Sequence, residues 1–142
     1  MSRAALQRLV EFWEELTPEA VERLETVYCA DAYFRDPFNE VRGEAEVKRI
    51  FRHMFETLRE PRFTIREALL DGSSAVLVWD FDFRIKALKP DLPRRIHGAS
   101  HIRFSHDGRV GYHRDYWDAA GELYAQLPVI GPLVRWLGRR LA

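Results

Sequence analysis

The N-terminal third of the chain carries its apolar residues at helical spacing. Leu6, Leu9, Val10, Trp13 and Leu16 recur with Arg3, Gln7, Glu11, Glu14 and Glu15 between them. Thr17-Pro18-Glu19-Ala20 restarts a helix, with Thr17 as N-cap, Pro18 in the first turn and Ala20 in place of Glu at the capping-box position. Val21, Leu24, Val27 and Tyr28 continue the stripe, so the pattern predicts a helical hairpin over 3–16 and 18–29. A short strand, Ala32 to Asp36, ends at Pro37, which has no N–H to give to a ladder. A third helix is expected after Gly43, with Val47, Ile50, Phe51, Met54, Phe55 and Leu58 facing inward.

From Arg62 the period changes to two. Phe63, Ile65 and Leu69 alternate with polar residues up to an Asp71-Gly72 turn. Ala75, Leu77, Trp79, Phe81, Phe83 and Ile85 then form the aromatic face of a long strand, and Val76, Val78, Asp80, Asp82 and Arg84 form its other face. After a Pro-bearing connection, Ile96, Ser100, Ile102 and Phe104 share one face of the next strand, with His97, His101 and Arg103 opposite. A second Asp-Gly turn, Asp107-Gly108, returns the chain into a last strand, Val110–Trp117. Two Asp-Gly hairpins between alternating strands predict a meandering antiparallel sheet. Helices followed by such a sheet predict an α+β domain with the helices on one sheet face.

Composition narrows the partners. With 142 residues, 46% of them hydrophobic, the chain makes one core rather than two. Lys and Arg total 22, as do Asp and Glu, so there is no basic excess for nucleic acid. Aromatics are 13% of the residues, enough to fill a core and also to line an apolar cavity. Cys29 stands alone, which excludes an internal disulfide and a Cys-based zinc site. The first residues lack the apolar run of a signal peptide, and no stretch approaches the roughly 18 uncharged apolar residues of a membrane span. A cytoplasmic protein without a cofactor is the expectation.

The segment Tyr28-Cys29-Ala30-Asp31-Ala32-Tyr33-Phe34-Arg35-Asp36-Pro37 resembles a signature of the SnoaL-like, ketosteroid isomerase-like branch of the nuclear transport factor 2-like superfamily. The likeness extends to Gly43, to Ser100-His101-Ile102-Arg103-Phe104, to Asp107-Gly108-Arg109-Val110 and to His113-Arg114-Asp115-Tyr116-Trp117-Asp118, covering roughly residues 3–118. It implies a cone: a strongly curved antiparallel sheet with N-terminal helices packed in it and an apolar pocket inside. The domain would span 1–126, followed by a tail over 127–142. Such a fold hosts many functions.

In ketosteroid isomerases the Asp before Pro is the general base, which the resemblance places at Asp36. Their oxyanion hole uses a Tyr of the first helix and a protonated Asp on the penultimate strand. Counting back from Asp36 without gaps puts Phe12 at the first position, and the penultimate strand puts Ser100 at the second. Loss of even one such donor costs about 3–4 kcal/mol of transition-state stabilisation, so steroid isomerisation by that route is not expected. The last strand offers replacements, with Gly111, His113, Asp115 and Trp117 on the pocket face and Val110, Tyr112, Arg114 and Tyr116 pointing away. His113 and Asp115 would lie about 7 Å apart along the strand. With Asp36 they form an acid–base set among Phe12, Phe51, Trp79, Phe81, Phe83 and Trp117. In residue type this resembles dehydratases of the superfamily that pair an early Asp with His.

Plainer readings stand beside these. Asp36 before Pro37 also fits a turn cap, and His113 with Asp115 a structural hydrogen-bonded pair. The His-x-Asp spacing of a facial-triad metal site expects a later His, and none follows His113. In the tail, Val129, Ile130, Leu133, Val134, Leu137 and Leu141 oppose Arg135, Arg139 and Arg140. That amphipathic pattern fits a helix over the cone mouth, a dimer neighbour or an anionic membrane surface. The expected function is binding of a small apolar molecule in a homodimer, with lyase or isomerase chemistry (dehydration or enolisation) centred on Asp36 and His113 and with Asp115 as orienter or second acid. The alternatives are a non-catalytic binding module and a protein-interaction domain of the same fold.

Overall fold

The computed structural model describes residues 2–128 and 130–142. The chain begins with α1 (Ser2–Glu14), whose Ala5, Leu6, Leu9 and Trp13 are buried. α2 (Pro18–Val21) starts where Thr17 accepts a hydrogen bond from the Ala20 N–H at 3.1 Å, with Pro18 at the first helical position. There the helix predicted over 18–29 stops short. A 3₁₀ turn, Leu24–Thr26, follows, and strand β1 (Tyr28–Arg35) takes the last two residues of the predicted segment. Long-range pairing takes this stretch from the helix: the Val110 N–H donates to the Val27 carbonyl at 2.7 Å, and Tyr28 pairs with Val110. Val21, Leu24 and Tyr28 are nonetheless all fully buried, so the apolar stripe holds while the backbone beneath it changes.

Strand β1 turns at Asp36–Asn39 into β2 (Glu40–Arg42), which is too short and polar to show in the pattern. Helix α3 (Glu44–Thr57) follows Gly43, whose φ of 110° an L side chain rarely adopts. Four long strands complete the sheet: β3 (Leu58–Asp71), β4 (Ser74–Ile85), β5 (Arg94–Phe104) and β6 (Val110–Trp117). Their order is β2-β1-β6-β5-β4-β3. β3 to β6 form the expected antiparallel meander, but β1 joins β6 in parallel, so the sheet is mixed. It curves around α1 and α3, an α+β architecture.

Two irregularities move side chains across the sheet. Between Ile65 and Glu67 the β3 register shifts, which turns Leu69 out to solvent and Leu70 into the core, the reverse of the simple alternation. A second shift between Arg103 and Phe104 turns Val110 inward, where it is fully buried although it was expected to point away. On β5 the inward Gly98 lies opposite Trp79, and a Cβ there would sit 2.6 Å from the indole ring. Glycine is required because the ring lies against the backbone.

After β6 come α4 (Ala119–Glu122), a 3₁₀ turn (Tyr124–Gln126) and α5 (Ile130–Leu141). Val129 of the predicted tail stripe lies outside the described residues. α5 packs on the short segments just before it, and Ile130, Leu133, Trp136, Leu137 and Leu141 are exposed. Among the described residues no helix is long and apolar enough to cross a membrane.

Candidate active site

The sheet and α3 enclose a cavity of about 280 Å³ walled almost wholly by apolar side chains. β4 contributes Trp79, Phe81 and Phe83; α3 contributes Ile50, Phe51 and Met54; β1 adds Phe34, β3 Phe63, and the segment after β6 Leu123. Phe63 and Phe81 stack with centroids 4.3 Å apart, and Phe81 stacks on Phe83 at 5.0 Å. The expected wall residues Phe51, Trp79, Phe81, Phe83, Ser100 and Trp117 border this space. Phe12 does not. It packs on the core beside the cavity, and its neighbour Trp13 takes the place on the wall. The ungapped count back from Asp36 misses the wall position by one residue. No described residue of α5 lines the cavity, so the tail does not close it.

At one end of the cavity lies a polar network. Alternation along β6 puts His113 and Asp115 on the same face, and the β5–β6 register puts Ser100 directly opposite Asp115. His113 Nε2 donates to Asp115 Oδ1 at 2.6 Å, and the Ser100 hydroxyl donates to the same oxygen at 2.5 Å. Behind Ser100, Trp79 Nε1 donates to Oγ at 2.9 Å. On the other side Tyr28 Oη lies 2.8 Å from His113 Nδ1, and Trp13 Nε1 donates to Tyr28 Oη at 3.3 Å. Indole N–H groups only donate and the carboxylate only accepts, which orients the links at both ends of the network. The imidazole carries its hydrogen on Nε2, and Tyr28 donates to Nδ1; in this arrangement each buried donor meets an acceptor. Asp115 Oδ2 makes no hydrogen bond among the described residues. The His113 side chain is 3% exposed and that of Asp115 19%, so the carboxylate stands in front and the imidazole behind it. The sequence expectation centred the chemistry on Asp36 and His113, with Asp115 as orienter or second acid.

Asp36 also borders the cavity, but no hydrogen bond joins it to His113 or Asp115 among the described residues. Its Oδ1 accepts from the Phe38 N–H at 2.8 Å, the Asn39 N–H at 2.7 Å and Asn39 Nδ2 at 3.1 Å, and its Oδ2 from Asn39 Nδ2 at 3.2 Å. The carboxylate thus shapes the β1–β2 turn while facing the cavity. Sequence reasoning missed Tyr28, Trp13 and Asn39. Tyr28 was hidden because its helical spacing put it in a helix.

On the outer sheet face, Asp80 is buried beneath His97 and Arg66, each 2.8 Å away, and Arg95 at 3.8 Å. Hydrogen bonds from His97 and then Arg66 hold its carboxyl below the usual carboxylate range. This cluster lies across the sheet from the cavity.

Burial raises the Tyr28 hydroxyl well above a free phenol. A group whose pKa is higher folded than unfolded keeps stability unchanged below the unfolded value, about 10, and loses it as pH rises beyond. Tyr28→Phe is therefore expected to abolish an alkaline loss of stability. At neutral pH it should cost about 1–2 kcal/mol, because Trp13 Nε1 and His113 Nδ1 lose their partner. Urea titrations at neutral pH and near pH 11 check both effects; an unchanged alkaline slope would remove Tyr28 as its source.

Residues 6–113 match the family model of the SnoaL-like domain. No curated protein matches the sequence. Among solved structures, a hypothetical protein with ketosteroid isomerase-like fold from Catenulispora acidiphila, in complex with trimethylamine, superposes with TM-score 0.73 at 19% identity, covering 87% of this chain and 93% of that one. An epoxide hydrolase from M. tuberculosis, similar to limonene epoxide hydrolase, gives 0.71 at 18% identity, with 94% and 96% covered. A protein proposed to be a SnoaL-like polyketide cyclase from Shewanella putrefaciens gives 0.69 at 18% identity, with 88% and 97% covered. At these identities the likeness is one of fold.

Proposed function

Because the chain belongs to the SnoaL-like family, we propose that its cavity binds a compact, largely apolar molecule and performs acid–base chemistry on it through Asp115. One observation carries this reading: Asp115 Oδ1 is held by His113 and Ser100 while Oδ2 is left free beside an aromatic cavity. A carboxylate fixed beside an apolar space, with one oxygen facing it, is placed to act as a general base. His113 acts as a positioning residue behind it, and Asp36 supplies a second carboxylate on the wall. Elimination of water is favoured over enolisation. The N–H and O–H groups of Trp13, Trp79, Ser100 and His113 are all engaged within the network, so none of these four serves as an oxyanion donor. Asp115 takes a proton from carbon, the C=C bond forms, and the same carboxyl hands its proton to the departing hydroxyl, which leaves as water. The domain boundary at residue 126 and a cytoplasmic setting belong to the same reading. So does a homodimer through the outer sheet face, where Val76 and Tyr116 are exposed.

A second reading, a non-catalytic binding module, is favoured by the engagement of Asp36 in its own turn. Ring-opening elimination of a nitrobenzisoxazole, a probe that reports any desolvated carboxylate base, separates the two. The wild-type protein is expected to turn the probe over, with Asp115→Asn losing about 100-fold and Asp36→Asn, which keeps the turn acceptor, losing less. Probe binding without turnover would favour the binding module.

A further inference from the structure

The charges around the cavity are unbalanced. Its wall contains two carboxylates, Asp36 and Asp115, and no described Lys or Arg. In the arrangement in which each buried donor meets an acceptor, the His113 ring donates to Asp115 and accepts from Tyr28, so it orients that carboxylate without cancelling its charge. The N–H donors on Asp36 Oδ1 stabilise its charge and likewise leave it in place. The nearby cations Arg35 and Arg114 border an open pocket beside Asp36 and Asp115, but among the described residues neither forms an ion pair with them: Arg35 pairs with Glu40 at 3.6 Å, and Arg114 lies over the Tyr116 ring at 4.7 Å. The other wall histidine, His53, is largely exposed and sits 3.9 Å from Glu56. A carboxylate bordering an apolar space without a counter-charge is costly, and a ligand of opposite sign relieves that cost. The faces of Phe and Trp rings carry partial negative charge and attract the same sign.

Resting on the proposal that the cavity binds a small molecule, we infer that its ligand is an organic cation, a protonated amine or a tertiary or quaternary ammonium group on an apolar body. Asp115 Oδ2 serves as its counter-ion, and the aromatic walls surround its substituents. The same charges exclude carboxylates. The test compares three probes of similar size by calorimetry on the whole chain: benzyltrimethylammonium, its uncharged carbon isostere neopentylbenzene, and phenylacetate. The cation is expected to bind at least about tenfold more tightly than the isostere, phenylacetate should not bind, and Asp115→Asn should abolish the preference while keeping affinity for the isostere. Equal or tighter binding of the isostere would overturn the cation proposal and leave the binding cavity standing. Failure of all three probes to bind would overturn both. The wild-type ratio decides even if the variant fails to fold.

Discussion

Replacing His113 by alanine is expected to remove about 4 kcal/mol of stability, the largest effect of any single change in the cavity wall. Two losses combine. The imidazole packs among aromatic rings, with centroids 4.6 Å from Phe34, 5.0 Å from Trp13 and 5.9 Å from Tyr28, and alanine leaves that space empty. It also strands the Tyr28 hydroxyl on one side and removes a donor from Asp115 on the other. In a chain of this length such a loss lowers the melting temperature by roughly 10–15 °C. His113→Gln, which restores a donor toward Asp115, is expected to recover part of it. Denaturant titration of both variants checks the account. A cost below about 1 kcal/mol for alanine would mean that the network contributes little to folding.

Gly98→Val is expected to cost about 3 kcal/mol by the opposite route, overpacking. The added Cβ meets Trp79 Cη2 at 2.6 Å on one side and Trp117 Cβ at 2.9 Å on the other, so neither neighbour yields without disturbing a second contact. The Trp79 indole is anchored to Ser100 at 2.9 Å and set edge-on against Phe63 at 5.7 Å. Pushed from behind, the ring moves toward the cavity, and Ser100 loses its donor. Gly98→Ala carries the same Cβ and should already show most of the cost, alongside a changed near-ultraviolet dichroism of the tryptophans. If the alanine variant unfolds at the same denaturant concentration as the parent, the close approach of ring and backbone does not constrain this position.

Much of this architecture is written in local pattern. Alternation along β4 and β5 places the buried aromatic face correctly, and the Asp-Gly turns place the hairpins, because those strands pair with sequence neighbours. Alternation along β6 also brings His113 and Asp115 to one face. The departures occur where a distant partner or a register shift intervenes. Tyr28 lies on a helical stripe, yet pairing with β6 draws it into a strand, and its hydroxyl thereby reaches His113. The bulge at Ile65–Glu67 exchanges Leu69 for Leu70, and the shift beside Phe104 turns Val110 inward. On α1 the wall position is Trp13, one residue beyond the Phe12 of the ungapped count. The order of the acid pair follows from depth along the cavity wall, a property that residue spacing does not carry.

The hydrogen-bond string that runs from Trp13 through Tyr28, His113, Asp115 and Ser100 to Trp79 ends at both sides in an indole. A proton relay needs links that accept as readily as they donate, and an indole N–H does not accept. The string is therefore a cul-de-sac for a travelling proton. A hydrogen taken up by Asp115 has no internal road to bulk water and returns either to the molecule it came from or through the cavity mouth. On the proposed elimination the pocket would serve as a one-proton reservoir: the hydrogen taken up by Asp115 would leave with the departing water, so deuterium from heavy water would enter recovered substrate only as fast as solvent reaches Asp115.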